Sequence, residues 1–293
     1  MEVPGEILEG VRSHLEKQLE CPCHITGARP VSGGCIHRAY QLSTDRGAFF
    51  LKWNQLAEAP NFDAEKRGLE LLARYSPDFV ARPLLLGKTG RFSFLLLKFI
   101  EGGNPSPPFW ERFGQRLARL HRNTAPRFGL DHDNFIGRLP QPNRQDPDFI
   151  RFFIEQRLMP QIRRARQGGL VDAKTIQRFE RLFNRLGELI PQEPPALLHG
   201  DLWQGNFLCT RSDQPILIDP AVYYGHRESE IAFTALFGGF DARFYEAYQT
   251  GFPLAAGWKE RQDLFNLYPL LVHLNLFGAS YLAGIIRILN RFA

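Results

Sequence analysis

A chain of 293 residues, 44% hydrophobic and 23% charged, is long enough to bury a large core or two closely joined ones, which excludes a disordered tail or a disulfide-stapled miniature. The net charge of +5 would suit a nucleic acid or an acidic membrane, but the arginines are scattered through amphipathic segments and no nucleic-acid-binding motif accompanies them. No apolar run approaches the roughly 20 residues that cross a bilayer, and Glu2, Glu6 and Glu9 are foreign to a signal peptide, so a cytoplasmic protein is expected.

From the N-terminus, Ile7, Leu8, Val11, Leu15 and Leu19 recur at helical spacing and predict an opening helix over 6–20. Cys21, Cys23 and His24 follow without the second ligand pair a zinc site needs and read as a turn; with Cys35 and Cys209 they complete four cysteines, expected as reduced thiols. Strands are predicted at 25–31, 39–42 and 48–53, the first turn carrying Ser32, Gly33 and Gly34 and the second running Thr44, Asp45, Arg46, Gly47. A helix at about 63–75 and further strands ending in the apolar run 92–100 lead to Glu101, Gly102, Gly103 and the prolines up to Pro108. That break suggests a boundary between 1–101 and 102–293. Beyond it the pattern turns mostly helical, with helices expected around 109–120, 149–166, 175–189, 228–236, 242–249 and 259–289, the last broken at glycines and Pro269. One strand-and-loop block at 196–220 interrupts them.

That block carries the chemistry. His199, Gly200, Asp201, Leu202, Trp203, Gln204, Gly205 and Asn206 are followed by the apolar strand Ile216–Ile218, which ends in Asp219 and Pro220. Phosphoryl transfer from ATP needs a carboxylate to orient the attacking hydroxyl and oxygen ligands for Mg²⁺, and one kinase solution is Asp, four residues, Asn, then an Asp at a strand end. Singly, each could be a turn or cap residue. In that order, after a meander with its own glycine turn, they point to Asp201 as catalytic base and to Asn206 and Asp219 as metal ligands. Lys52 near the end of the third strand and Glu65 at the start of the next helix fit a phosphate-bridging lysine and its carboxylate anchor, and Gly33 and Gly34 could bring backbone N–H groups to phosphate. Cys35 in that turn is either a small buried side chain or an oxidisable thiol.

The run HGDLWQGN at 199–206 with LIDPAVYYGHRESEIA at 217–232 resembles the signature of fructosamine and ketosamine kinases, relatives of the aminoglycoside and choline kinases. SGGCIHRAY at 32–40, FLKW at 50–53, FDAEKRGLELL at 62–72, ARLH at 118–121, FGLDHDNFIG at 128–137, QPN at 141–143 and FFIEQRLMPQ at 152–161 extend the likeness in family order. The resemblance implies an α+β, protein-kinase-like, two-lobed fold: a nucleotide-binding lobe over 1–101 and a mainly helical lobe over 102–293. It implies ATP and Mg²⁺ as cofactors and phosphorylation of a ketosamine, a sugar adduct of a small amine or of a glycated protein, at the third-carbon hydroxyl, which regenerates the amine. By residue, it implies Asp201 as proton acceptor, Asn206 and Asp219 as magnesium ligands, Lys52 on the phosphates, Glu65 anchoring it, and Phe99, Ile100 and Glu101 as the hinge meeting adenine. Trp203, Tyr223, Tyr224 and His226 could stack on or hydrogen-bond a sugar, or simply pack. Phe149 stands where the family pattern suggests tryptophan, a change that would either alter substrate preference or repack a helix. A monomer is expected. Another alcohol acceptor (an aminoglycoside, choline or a free sugar) and a silent ATP-binding module are the competing readings; the basic balance weighs against the polycationic acceptor, and the intact Asp201, Asn206, Asp219 and Lys52 against silence.

Overall fold

A computed structural model describes residues 3–31 and 38–293; the glycine turn, with Gly33, Gly34 and Cys35, lies outside the described residues. The chain packs as two compact units, one of residues 1–109 with 205–221, the other of 110–204 with 222–293.

In the first unit, helix α1 (Gly5–Leu19) precedes strands β1 (Ile25–Pro30), β2 (Arg38–Thr44) and β3 (Gly47–Gln55), helix α2 (Ala59–Tyr75), and strands β4 (Pro83–Thr89) and β5 (Phe92–Lys98). The five strands form one antiparallel sheet in the order β1-β2-β3-β5-β4. Strand β5 lies inside the sheet and is buried from Phe92 to Leu97, which explains why its sequence is continuously apolar apart from Ser93 instead of alternating. Its Phe92, Phe94 and Leu96 join Ile7, Val11 and Leu15 of α1 in one core, while α2 packs against β4 and β5 through the buried Phe62, Leu69 and Leu72.

Helix α3 (Pro107–His121) leads into the second unit, which continues with the hairpin β6 (Asn134–Ile136) and β7 (Leu139–Gln141). Helix α4 (Phe149–Phe152) opens into one π-turn, Phe153–Leu158, and resumes as α5 (Met159–Gln167). The single helix expected over 149–166 is therefore interrupted. Next come α6 (Ala173–Phe183), α7 (Leu186–Leu189) and strand β8 (Ala196–Leu198). The chain then returns to the first unit for the hairpin β9 (Phe207–Cys209) and β10 (Pro215–Leu217). There Leu217 accepts from Ala81 N at 2.9 Å, and Gly103 N donates to Cys209 O at 2.8 Å. The second unit closes with β11 (Tyr223–Gly225), paired to β8, and helices α8 (Arg227–Leu236), α9 (Ala242–Gly251), α10 (Trp258–Phe277) and α11 (Leu282–Phe292).

Pro269 was expected to break the last long helix, yet α10 runs through it. An interior proline costs a helix about 3 kcal/mol. Here Leu264 to Val272 are buried without a gap and α8, α5 and α11 pack around them, so burial of that apolar length outweighs the lost backbone bond.

Candidate active site

In the first unit, β3 delivers Lys52 to a buried position where its ammonium meets two carboxylates, Glu65 Oε1 of α2 at 2.8 Å and Asp219 Oδ1 at 2.5 Å. Neighbouring Lys66 pairs instead with Glu70, one helical turn away, so it does not compete for Glu65. Burial opposes the charge on Lys52, but Asp219 and Glu65 outweigh it and hold the amine pKa above its ordinary value. Glu65 moves the other way: burial, reinforced by the like charge of Asp219 and only partly offset by Lys52, pushes its carboxyl up to about 7. One cation thus serves two acids, and the proton that Glu65 retains up to about pH 7 balances the charge of the cluster.

Asp219 follows β10 with φ of +55°, a left-handed backbone that only short polar side chains or glycine adopt readily. The hairpin register pairs Phe207 with Leu217, and Ile218 N donates to Asn206 O at 3.1 Å, so Asn206 and Asp219 stand on adjacent chains at the same end of the hairpin. Their side chains offer a carboxylate and a carboxamide, hard oxygen donors that suit Mg²⁺. Among the described residues, Asp219 Oδ2 has no partner, which leaves it available to a cation. The donor set therefore fits the metal that the motif implies.

The other predicted residues of this unit lie along the chain from β5. Phe99 N donates to Ala48 O at 3.3 Å, Glu101 O accepts from Arg211 N at 3.2 Å, and Glu101 pairs with Arg211 through their side chains at 2.8 Å. Phe99 and Ile100 are half-buried, Glu101 exposed.

In the second unit, Asp201 follows β8 on a loop whose turn requires Gly200 at φ of +84°. The loop is fixed from behind by Glu230 of α8, a fully enclosed carboxylate that accepts from Gly200 N at 2.6 Å, from His199 N at 3.1 Å and from His121 Nε2 at 2.8 Å. His121 of α3 in turn meets Tyr248 Oη of α9 at 2.7 Å. Burial alone would raise the Glu230 pKa, but His121 and the Gly200 N–H reverse this and hold it below the ordinary value. Sequence reasoning missed Glu230 and His121. Their only sign was membership of the two motif runs, because the contact joins residues 30 and more positions apart.

Asp201 itself borders a narrow cavity of about 30 Å³, lined also by Gly200, Tyr223, Glu230, Tyr268 and His273. Trp203 is half-buried, and Tyr224 pairs its backbone with Gly129 in both directions, at 2.8 and 3.0 Å, leaving its side chain half-exposed.

His226 does not suit the sugar-binding role expected of it. The ring is wholly buried, its Nε2 donates to Pro191 O at 3.0 Å, and its Nδ1 caps α8 by accepting from Glu228 N at 3.2 Å. Both nitrogens are spent inside the protein, and desolvation lowers the ring's pKa. Phe149 packs 5.1 Å from that ring and 5.2 Å from Phe128, so its place is in the core. Glu193, His226 and Glu228 lie close enough to suggest a metal site. Arg227 grips Glu193 with two bonds of 2.7 and 2.8 Å, and Arg261 grips Glu228 with two of 2.6 and 2.9 Å, so guanidinium groups already supply the charge a cation would. In the first unit, Cys23 is buried and His24 pairs with Asp45, so the early Cys–Cys–His run is likewise a turn.

The fructosamine kinase family model matches residues 7–293. A probable ketoamine kinase of Synechocystis sp. is 40% identical over 264 residues, spanning 89% of this chain and 88% of its own. A chloroplastic protein-ribulosamine 3-kinase of Arabidopsis thaliana is 36% identical over 275 residues, spanning 92% and 83%. The crystal structure of a Haemophilus somnus protein bearing the name fructosamine-3-kinase superposes with a TM-score of 0.87 at 27% identity, covering 97% of both chains. More distantly, the aminoglycoside phosphotransferase APH(4)-Ia, in a ternary complex with ADP and hygromycin B, shares the fold at a TM-score of 0.62 and 16% identity. The matched length, the identities and the kinase-like α+β architecture agree: the chain belongs to the fructosamine kinase family.

Proposed function

We propose that this protein is an ATP- and Mg²⁺-dependent ketosamine kinase that phosphorylates the third-carbon hydroxyl of a ketose attached to an amine. The observation that carries the reading is Lys52 held between Glu65 and Asp219, a cationic phosphate anchor beside a carboxylate suited to Mg²⁺. The names of its relatives, ketoamine kinase and ribulosamine 3-kinase, support the acceptor class. On this reading 1–101 serve as the nucleotide-binding lobe and 102–293 as the lobe with the catalytic loop. Lys52 holds phosphate oxygens and Glu65 orients Lys52. Gly33 and Gly34 approach the phosphates, while Phe99, Ile100 and Glu101 meet adenine. Asn206 and Asp219 hold the metal, which when bound neutralises charge on the phosphates.

Asp201 accepts the proton of the attacking hydroxyl. The sugar oxygen forms a bond to the terminal phosphorus as the bond from that phosphorus to the bridging oxygen breaks, and ADP leaves with the electron pair. Trp203 and Tyr224 flank the acceptor. The phosphorylated adduct is less stable than its precursor, so the amine is released, a deglycation step that a cytoplasmic monomer would perform on free or protein-bound adducts. The decisive experiment measures ATP consumption with fructosyl-lysine and ribulosyl-lysine beside aminoglycosides, choline and simple sugars. Turnover confined to the ketosamines is expected, and Asp201→Ala should cut it by about 10²-fold or more while sparing nucleotide binding. Turnover on aminoglycosides or choline alone, or full activity in Asp201→Ala, would overturn the assignment.

A further inference from the structure

The cavity that Asp201 borders has walls suited to a positive charge. Among its described lining residues two are carboxylates, Asp201 and Glu230, and none is lysine or arginine. Glu230 is bonded to His121 and two backbone N–H groups, yet it keeps its charge, because those partners hold its pKa below the ordinary value. Aromatic faces make up much of the rest, Phe233, Phe265 and Tyr268 among them. Arg157 stands outside this lining, 4.0 Å from the ring centre of Tyr223, with its guanidinium bonded to Pro142 O and Asn143 Oδ1. Two carboxylates thus outnumber the one guanidinium behind the wall. Carboxylates and π faces together attract a cation that fits between them.

His273 of α10, on the same wall, supplies a directional contact. Its Nδ1 donates to Pro269 O at 2.7 Å, which fixes the tautomer and leaves Nε2 a bare lone pair with no partner among the described residues. Desolvation holds the ring's pKa below the ordinary value, so at pH 7 it is neutral and an acceptor. The rings of Phe237, Tyr281 and Phe277 lie 4.6, 5.1 and 5.4 Å from it, and Phe277 is half exposed, so the aromatic wall runs from the cavity out to solvent. The loop after Phe237 is tied to the catalytic loop by Gln204 Nε2, which donates to Gly239 O at 2.9 Å.

A ketosamine differs from a free ketose by a secondary amine on its first carbon, protonated at neutral pH. Four bonds separate that nitrogen from the third-carbon oxygen, a reach of roughly 5 Å. A seat for the nitrogen must therefore open onto the space that Asp201 borders, and the wall that carries His273 does so.

We propose that this cavity seats the acceptor's amine: the ketosamine ammonium donates to His273 Nε2 and lies against the faces of Phe233 and Tyr268, which brings the third-carbon hydroxyl to Asp201, while the carrier chain of the amine runs out over Phe277. This rests on the ketosamine reading. The first test needs only the unaltered chain. Calorimetry compares the fructose adduct of butylamine with the matching butyl ether, in which an uncharged oxygen replaces the nitrogen. The amine should bind at least about tenfold more tightly, the scale of a charge-assisted hydrogen bond with a cation–π contact. Equal affinities overturn the proposal. The second test is His273→Leu, which should raise KM for the amine adduct about tenfold or more, keep kcat and KM for ATP within about threefold, and leave the affinity for the ether unchanged. His273→Gln, whose Oε1 accepts near the position of Nε2, should recover part of the loss. Equal losses for amine and ether in His273→Leu would mean that the ring only shapes the wall, and reject the idea. A chain that turns over no ketosamine sinks the kinase reading itself; one that turns over ketosamines yet holds the ether as tightly sinks this inference alone.

Discussion

Lys52 with its two acids makes a prediction about pH. Glu65 has a folded pKa near 7 against 4.5 for an unperturbed glutamate, so between those values the folded chain keeps a proton that the unfolded chain releases. Stability from this group is therefore present at low pH and is lost as the pH rises through that window. Glu230 and Asp146, whose carboxyls sit below the ordinary range, work in the opposite direction, so the informative quantity is the difference from a variant. In the nucleotide-free protein, Glu65→Gln should remove part of the stability decline between about pH 4.5 and 7, read from urea midpoints across that range. An identical pH slope in the two proteins would show that Glu65 does not titrate there. Lys52, Glu65 and Asp219 were legible from their order along the chain, although β3 runs on to Gln55 and α2 begins at Ala59, so Lys52 and Glu65 stand inside their elements and not at the strand end and helix start expected. Glu230 and His121 were not, because what defines them is burial against partners from distant segments, and the letters around them look like ordinary helix.

Elements repeat that lesson. The amphipathic α1, the meander β1–β3 and helices α2, α3, α8 and α9 follow their periodicity to within a few residues, because each has one buried face to announce it. The π-turn and the uninterrupted α10 do not, since both lie among neighbours: the first packs against α10, and α10 is enclosed by α5, α8 and α11. The contact of α3 with α9 offers a sharp test. A Cβ at Gly114 would lie 2.2 Å from Phe244 O and 2.9 Å from Tyr248 N, backbone atoms that cannot step aside. Gly→Ala in a helix normally gains about 1 kcal/mol. Here overpacking should win, and Gly114→Ala is expected to lose about 2 kcal/mol in denaturant unfolding. Separating these helices would also loosen the bond from Tyr248 to His121, so kcat should fall with stability. A neutral or stabilising result would mean that α9 shifts without cost.

At the scale of the whole molecule, the family match runs from residue 7 to the last residue, and the kinase-like architecture was legible through the resemblance carried by the motif runs at 199–206 and 217–232. Among the described residues no helix is long and apolar enough to cross a membrane. If Asp219 helps hold a metal–nucleotide complex, ligand binding must stabilise the fold, by about 2.7 kcal/mol when ligand stands at a hundred times its dissociation constant. Mg²⁺ with ATP should raise the melting temperature of the unaltered chain, and the magnesium-dependent part of that rise should vanish in Asp219→Ala. A full shift in the variant would remove Asp219 from the metal.

The hairpin β9–β10 belongs to the first unit although nearly a hundred residues of the second unit separate it from the rest. No single cut in the gene can therefore release that unit whole: a product ending at the apparent boundary would lack Asp219, and with it the carboxylate that faces Lys52 opposite α2. Folding of the first unit must wait on a segment synthesised late, and an insertion anywhere between positions 110 and 204 lengthens the loop that this long-range closure has to span.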